Sequence, residues 1–161
     1  MNFRSKIVPF DRLAEWRESM RASGKKLVVT NGCFDLLHLG HVTYLEEARN
    51  QGDALLIGVN GDEAVRKLKG PNRPVNSEQD RAAVLAALES VDGVCIFEEV
   101  TAGHFLSVSK PDLYVKGGDY QRETLNQEEV ELVERSGGIV RILPLVPGRS
   151  TTKLLERMPA H

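Results

Sequence analysis

Two of the chain's four histidines stand three residues apart, in His38-Leu39-Gly40-His41. On a helix that spacing puts both imidazoles on one face. The pair comes directly after Leu27-Val28-Val29-Thr30, a short apolar strand pattern, and the turn-like segment Asn31-Gly32-Cys33-Phe34-Asp35. The histidines therefore fall in the first turn of the helix that follows. Unpaired backbone N–H groups and the positive dipole end make such a helix start favourable for phosphate. Gly40 lets a ligand approach the backbone closely, and the amides of residues 31–34 add further donors. The chemistry implied is a phosphate cradle with two imidazole donors. Two plainer readings compete. The histidines are also suited to ligating a metal with Cys33 as a third ligand, but structural zinc favours cysteine pairs at short spacing, and only one cysteine lies nearby. A His-x-x-His pair taken alone is most often a surface coincidence; its place at a strand-to-helix junction sets this one apart.

The elements that must position this junction alternate along the chain. Residues 1–26 read as an N-terminal amphipathic helical segment, opened by Pro9, with Leu13, Trp16 and Met20 on one face and Ser23-Gly24 as the stop. The main domain, 27–161, begins with the strand at Leu27 and a helix from Leu39 to Asn50, ended by Gly52. Ala54 to Val59 reads as a second strand, and a short helix follows through Ala64, Val65 and Leu68. Lys69-Gly70-Pro71-Asn72-Arg73-Pro74 must be a loop, because two prolines and a glycine block regular structure. Ser77 caps a helix that runs from Arg81 to Glu89. Val94 to Phe97 is a third strand and Thr101 to Ser109 a helix. Leu113-Tyr114-Val115 is a fourth strand, Asn126 to Arg135 a helix closed by Gly137-Gly138, and Ile139 to Leu143 a fifth strand. Ser150 caps the last helix. Unbroken apolar strands separated by helices predict an α/β fold: a doubly wound, Rossmann-like parallel sheet of about five strands in a single domain, covered on both faces. Ligands in such sheets sit beyond the carboxyl ends of the strands, which directs attention to residues 30–41, 60–62, 116–120 and 144–152.

Composition narrows the function. The chain has 161 residues, 41% hydrophobic and 27% charged, as expected for a globular domain. Its 21 basic and 23 acidic residues leave a formal charge of −2. That balance gives no reason to expect nucleic-acid or membrane-surface binding, so an anion site must be local. Two cysteines cannot build a disulfide framework. There is no signal-peptide pattern and no apolar run long enough to span a membrane. The expectation is a reduced, cytoplasmic protein. Other phosphate motifs fail: Ser23-Gly24-Lys25-Lys26 lacks the first glycine and the Ser/Thr of a P-loop, and Gly117-Gly118 is not a dinucleotide fingerprint.

The stretch Thr30-Asn31-Gly32-Cys33-Phe34-Asp35-Leu36-Leu37-His38-Leu39-Gly40-His41 resembles the His-x-Gly-His nucleotidyltransferases, the cytidylyltransferase-like family. Lys69-Gly70, Arg73-Pro74-Val75-Asn76, Gln79-x-Arg81, Pro111 to Tyr120 and Ser150-Thr151-Thr152 are similar to its subgroup that adenylylates D-glycero-β-D-manno-heptose 1-phosphate. That activity also occurs as the C-terminal half of bifunctional ADP-heptose synthases. The likeness runs over residues 27–155. It implies in-line transfer of the adenylyl group of ATP to the sugar phosphate, giving ADP-heptose and pyrophosphate for lipopolysaccharide precursor synthesis, by positioning and charge stabilisation.

The resemblance also implies roles. His38 and His41 hold the triphosphate and stabilise charge at the transferring phosphorus. Lys116, leaving the fourth strand at the binding edge, ranks next among the catalytic candidates. Gly32, Cys33, Phe34 and Gly40 present backbone to phosphates, and Gly117, Gly118 and Asp119 pass the nucleotide near its ribose and base. Ser150, Thr151 and Thr152 bind the β- and γ-phosphates, or simply cap the helix. Asn31 and Asp35 face the sugar substrate, unless Asp35 only holds its loop. Lys69, Arg73 and Arg81 are candidate anion clamps, the first two on a loop stiffened by proline. Magnesium is expected as a bridge between phosphates, with no protein ligand identified. The expected partners are ATP and a sugar 1-phosphate, with no nucleic acid and no membrane. A homo-oligomer is also expected, with Phe3, Phe10 or Trp16 as exposed contact residues.

Three positions depart from the pattern. Arg149 stands where a small or apolar residue is usual, and Gly61 where serine is common. Cys33 replaces the threonine of glycerol-phosphate enzymes, which favours the heptose subgroup. The competing assignments are another transferase on this scaffold, such as a glycerol-3-phosphate cytidylyltransferase, and a non-catalytic nucleotide-binding module. Base choice depends on a few contacts from several loops, and the motif at 38–41 does not determine it.

Overall fold

Parallel pairing organises the molecule, seen in a computed structural model that describes residues 2–118 and 121–159. Five strands, β1 (Leu27–Gly32), β2 (Ala54–Asn60), β3 (Gly93–Phe97), β4 (Leu113–Gly117) and β5 (Ile139–Leu143), form one sheet in the order β3-β2-β1-β4-β5. Every pair is parallel. The chain winds outward from β1 to β3, then returns to β1's other side to lay down β4 and β5. The reversal lies between β1 and β4, where a crevice forms at the strands' carboxyl ends.

The described residues contain seven α-helices: α1 (Leu13–Ala22), α2 (Leu39–Arg49), α3 (Asp62–Lys69), α4 (Glu78–Ala86), α5 (Gly103–Ser109), α6 (Gln127–Arg135) and α7 (Thr151–Arg157). Successive strand residues point to opposite faces, and the two cores divide accordingly. Val28, Leu55 and Ile57 pack with Tyr44 and Leu45 of α2 and with Ala82 and Leu85 of α4. Val29, Leu56 and Tyr114 pack with Leu13 of α1, Phe105 of α5 and Val133 of α6. β1 and β2 are apolar without alternation because both their faces are covered. β5 differs from the expectation: it is an edge strand, with Ile139 60% exposed, so its outer part lacks the predicted cover.

Among the described residues, three of the α-helices start on side-chain caps. The oxygens of Ser77, Asn126 and Ser150 accept from the backbone N–H of Asp80, Glu129 and Lys153. The fourth helix begins at Glu78 and ends at Ala86, three residues earlier at each end than the sequence suggested. β1 continues in register with β2 to Gly32, so Asn31 and Gly32 are strand, not turn.

Residues 2–26 are fastened to the same sheet. Val8 donates to the carbonyl of Val94 (2.8 Å), and Val8 and Leu13 are buried in the second core. Arg17, 1% exposed, donates to the Lys110 carbonyl and the Asp112 carboxylate, and Asp112 also accepts from the amide of Leu27. Pro9 opens a short 3-10 turn, and α1 itself begins only at Leu13. Phe3, Phe10 and Trp16, expected to be exposed contact residues, pack against the cores instead.

Candidate active site

Past Gly32 the chain leaves the sheet through Phe34, whose φ of 47° is left-handed, and enters α2 from the extended backbone of His38. The buried Phe34 ring lies 5.4 Å from the His41 ring. The His38 carbonyl accepts from the His41 amide, which starts the helix and brings the imidazoles together. Their centroids are 3.9 Å apart with planes 27° from parallel. Gly40 makes that stack possible: a Cβ there would lie 2.9 Å from the His38 ring and 3.0 Å from Arg149 Cβ.

Both Nδ1 atoms are buried without a hydrogen-bond partner among the described residues. Burial, together with the neighbouring His38, pulls His41 down to about 4. His38 is also lowered, first by burial and then by the Arg149 charge. The free site therefore holds two neutral imidazoles, and an anion bound against them would favour their charged forms.

The pair opens on a cleft of about 690 Å³. Asn31, Gly32, Cys33, Phe34 and Asp35 form one wall beside it, and Lys116 and Gly117 leave β4 into the same space. Lys69, expected in the loop, is the last residue of α3 and enters from there, Arg73 from the loop that follows, and Ser150, Thr151 and Thr152 from the start of α7. The Thr151 hydroxyl donates to the Leu36 carbonyl (3.1 Å), fastening that segment to the β1–α2 loop, and Ser150 Oγ accepts the Lys153 amide. Gly117 is held tightly, since a Cβ there would lie 2.8 Å from both Leu145 and Tyr44. Gly118, at a φ of 141°, does not line the cleft. Asp119 lies outside the described residues.

Two candidates turn out to be built into the walls. Arg81, proposed as an anion clamp, is not in the cleft. It is 2% exposed and donates to the carbonyls of Cys33 and Asn76 and to the Asp62 carboxylate. Its charge is used in holding the β1–α2 loop from beneath. Asp35 lines the cleft, but its carboxylate is occupied by the amides of Val75 and Asn76 and by Arg73 Nε at 2.7 Å. Burial would raise its pKa, but those three donors outweigh burial and hold it below the usual carboxylate range. Of its two earlier readings, this geometry is that of a residue holding a loop, the one that carries Arg73.

Cys33 faces the cleft with its thiol pushed up by burial, against the pull of Lys69, Arg81 and Arg73. No thiolate chemistry is implied. Among the described residues no group of three His, Cys, Asp or Glu side chains is placed to hold a metal ion.

The sequence reading missed the far wall. Glu129, 8% exposed on α6, accepts from the Ala102 amide (2.8 Å) and the Tyr114 hydroxyl (3.2 Å). The single Tyr114 hydroxyl proton is shared with Asn31 Oδ1, at 2.6 Å, and Lys116 Nζ reaches that oxygen at 3.5 Å. Thr101, Thr124 and Asn126 line the cleft nearby. Glu129 stands among four acidic residues of a helix with a solvated face, and nothing in its spacing marks it as buried.

Comparison with known proteins places this geometry. The family model described as cytidylyltransferase-like matches residues 29–157. A bifunctional protein HldE from Syntrophotalea carbinolica is 49% identical over 158 residues, covering 98% of this chain and 32% of that protein. The HldE of Pelobacter propionicus is 50% identical over 154 residues, covering 96% of the chain and 31% of the relative. The chain thus spans about a third of these relatives' length. Among solved structures, the lipopolysaccharide core biosynthesis protein of Thermoplasma volcanium superposes with a TM-score of 0.63 at 30% identity, over 76% of this chain and 98% of that one. The pantoate-β-alanine ligase of Francisella tularensis, described as complexed with beta-gamma ATP and β-alanine, shares the fold with a TM-score of 0.56 at 15% identity, over 91% of this chain and 68% of that one.

Proposed function

Because the chain belongs to the cytidylyltransferase-like family of nucleotidyltransferases, we propose that it transfers the adenylyl group of ATP to D-glycero-β-D-manno-heptose 1-phosphate. The observation that carries this reading is one cleft lined by the stacked His38–His41 pair, Lys116, Lys69 and Arg73. The likeness to HldE over nearly the whole chain supports the choice of sugar and base.

A phosphate oxygen of the sugar phosphate attacks the α-phosphorus of ATP. The bond from that phosphorus to its β-bridging oxygen breaks, and pyrophosphate leaves with the electron pair. Charge builds on the phosphoryl oxygens and on the departing group. Donors fixed in advance stabilise that charge without reorganising. His38 and His41 meet the triphosphate and take up protons as it binds. Lys116 balances charge from the β4 side. Lys69 and Arg73 bind the sugar phosphate, with Asp35 holding the loop of Arg73 in place. Thr152 and the backbone at residues 150–152 meet the β- and γ-phosphates. Magnesium enters as part of the substrate, MgATP, which suits a cleft whose carboxylates, Asp35 and Glu129, are both engaged by protein donors. The transfer needs no covalent enzyme intermediate.

The test is pyrophosphate release with ATP, CTP, GTP and UTP, each with heptose 1-phosphate or glycerol 3-phosphate. The expected result is turnover with ATP and the heptose. Preference for CTP and glycerol 3-phosphate would reassign the enzyme within its family, and tight ATP binding without any turnover would make it a binding module.

A further inference from the structure

The far wall of the cleft contains a buried carboxylate that the transfer chemistry does not require. Glu129 Oε1 is held by the Ala102 amide and Oε2 by the Tyr114 hydroxyl. That hydroxyl's single proton is shared between Glu129 Oε2 at 3.2 Å and Asn31 Oδ1 at 2.6 Å, and the Lys116 ammonium reaches the same Asn31 oxygen from above the Tyr114 ring, 5.6 Å from its centroid. α6, β4 and β1 thus meet in a chain of four groups: carboxylate, phenol, amide and ammonium. We propose that Glu129 is a positioning residue, which holds Lys116 charged and aimed into the cleft through Tyr114 and Asn31.

A charge count of the cleft favours this role. The ionisable groups around Lys116 are Tyr114 on its own strand, Tyr44, His38 and His41 on α2, Cys33 and Asp35 after β1, Glu129 on α6, and the cations Lys69 at the end of α3 and Arg73 and Arg149 on loops. Asp35 is already paired with Arg73. Among the described residues Glu129 is the remaining anion in this set. Burial alone pulls Lys116 toward its neutral form, and the Glu129 charge opposes that pull. Burial, with the Glu129 charge added, also keeps Tyr114 protonated well above the ordinary range, so its hydroxyl retains the one proton that Asn31 and Glu129 share. A carboxylate serving packing alone would need only its bond to Ala102.

The inference rests on the reading that Lys116 meets the phosphates, and its test separates the two. Glu129→Gln keeps the shape and an acceptor for the Ala102 amide but removes the charge. In the free enzyme, trace acetic anhydride labelling followed by peptide mass spectrometry reports how much of Lys116 is neutral at each pH. The expected result is several-fold faster labelling of Lys116 in the variant at pH 8, with other lysines unchanged. With ATP and heptose 1-phosphate, kcat falls by about tenfold to a hundredfold, the size expected from a misplaced reacting group. The alkaline limb of its pH profile moves to lower pH. In a Lys116→Arg background the charge is permanent, and Glu129→Gln no longer moves the limb. Unchanged Lys116 labelling and an unmoved limb would overturn the proposal. If wild type does not turn over these substrates while labelling responds as expected, the functional reading fails and the positioning role stands. If Glu129→Gln does not fold, Tyr114→Phe removes only the hydroxyl link; a kcat within twofold of wild type would overturn the proposal equally.

Discussion

Replacing Gly40 with alanine separates the site's geometry from its stability. The new methyl carbon falls 2.9 Å from His38 Cε1 and Nδ1 and 3.0 Å from Arg149 Cβ. Relaxed carbon contacts lie at about 3.5–4.0 Å, so the His38 ring must retreat by roughly 0.6–1 Å. Displacing a reacting group by about 1 Å costs about a hundredfold in turnover, equivalent to about 2.7 kcal/mol of barrier. Stability moves differently. Gly40 lies in the first turn of α2 with no positive φ, and alanine gains about 0.8–1 kcal/mol of helix propensity there. An off-rotamer His38 loses about 0.5–1.5 kcal/mol. The two nearly cancel, leaving a melting temperature within about 4 °C of wild type. Pyrophosphate release gives kcat, and a thermal melt gives stability. Turnover within threefold of wild type, with the melt unchanged, would show that the stacked arrangement of the imidazoles is unnecessary and refute the reasoning.

Four further outcomes follow from the same structure. His41 titrates near 4 when folded against 6.5 when unfolded, so its contribution to stability is complete above pH 6.5 and is lost as pH falls toward 4; His41→Asn flattens the melting-temperature profile in that window. ATP binding reverses this depression, so calorimetry at pH 6 in buffers of different ionisation enthalpy detects net proton uptake, and His41→Asn reduces it. Asp35→Ala strands two amides and Arg73, costing about 3 kcal/mol in urea unfolding and raising KM for the sugar phosphate. Arg81→Met leaves Asp62 and two carbonyls without their donor and lowers stability by about 3 kcal/mol; a variant that folds normally but has only a raised KM would restore Arg81 as a clamp.

Periodicity and punctuation made most of the fold legible. The five apolar runs are all strands, and Ser77 and Ser150 cap helices where their spacing said they should. β5 was misjudged because Ile139-Val140-Arg141-Ile142-Leu143 reads as a covered strand, while its place at the sheet edge depends on strand order. Asn31-Gly32 looked like a turn by composition, yet pairing with β2 keeps both extended, an override of local preference by tertiary contact. At the site, the histidine junction was legible because its signal is local. Arg81 and Asp35 were assigned from residue type and from the resemblance, and neither distinguishes a cation or carboxylate facing ligand from one buried beneath the loop. Glu129 was invisible for the converse reason: its role arises from α6 meeting β4 and β1, a contact between residues far apart in the chain.

Oxygen-18 tracing tests the central claim most directly. Heptose 1-phosphate labelled with oxygen-18 in its non-bridging phosphate oxygens is incubated with MgATP, and both products are examined by mass spectrometry. Attack by the sugar phosphate on the α-phosphorus predicts that all the label stays in ADP-heptose, with none in pyrophosphate. Label in the pyrophosphate, or recovery of unlabelled ADP-heptose, would contradict the account.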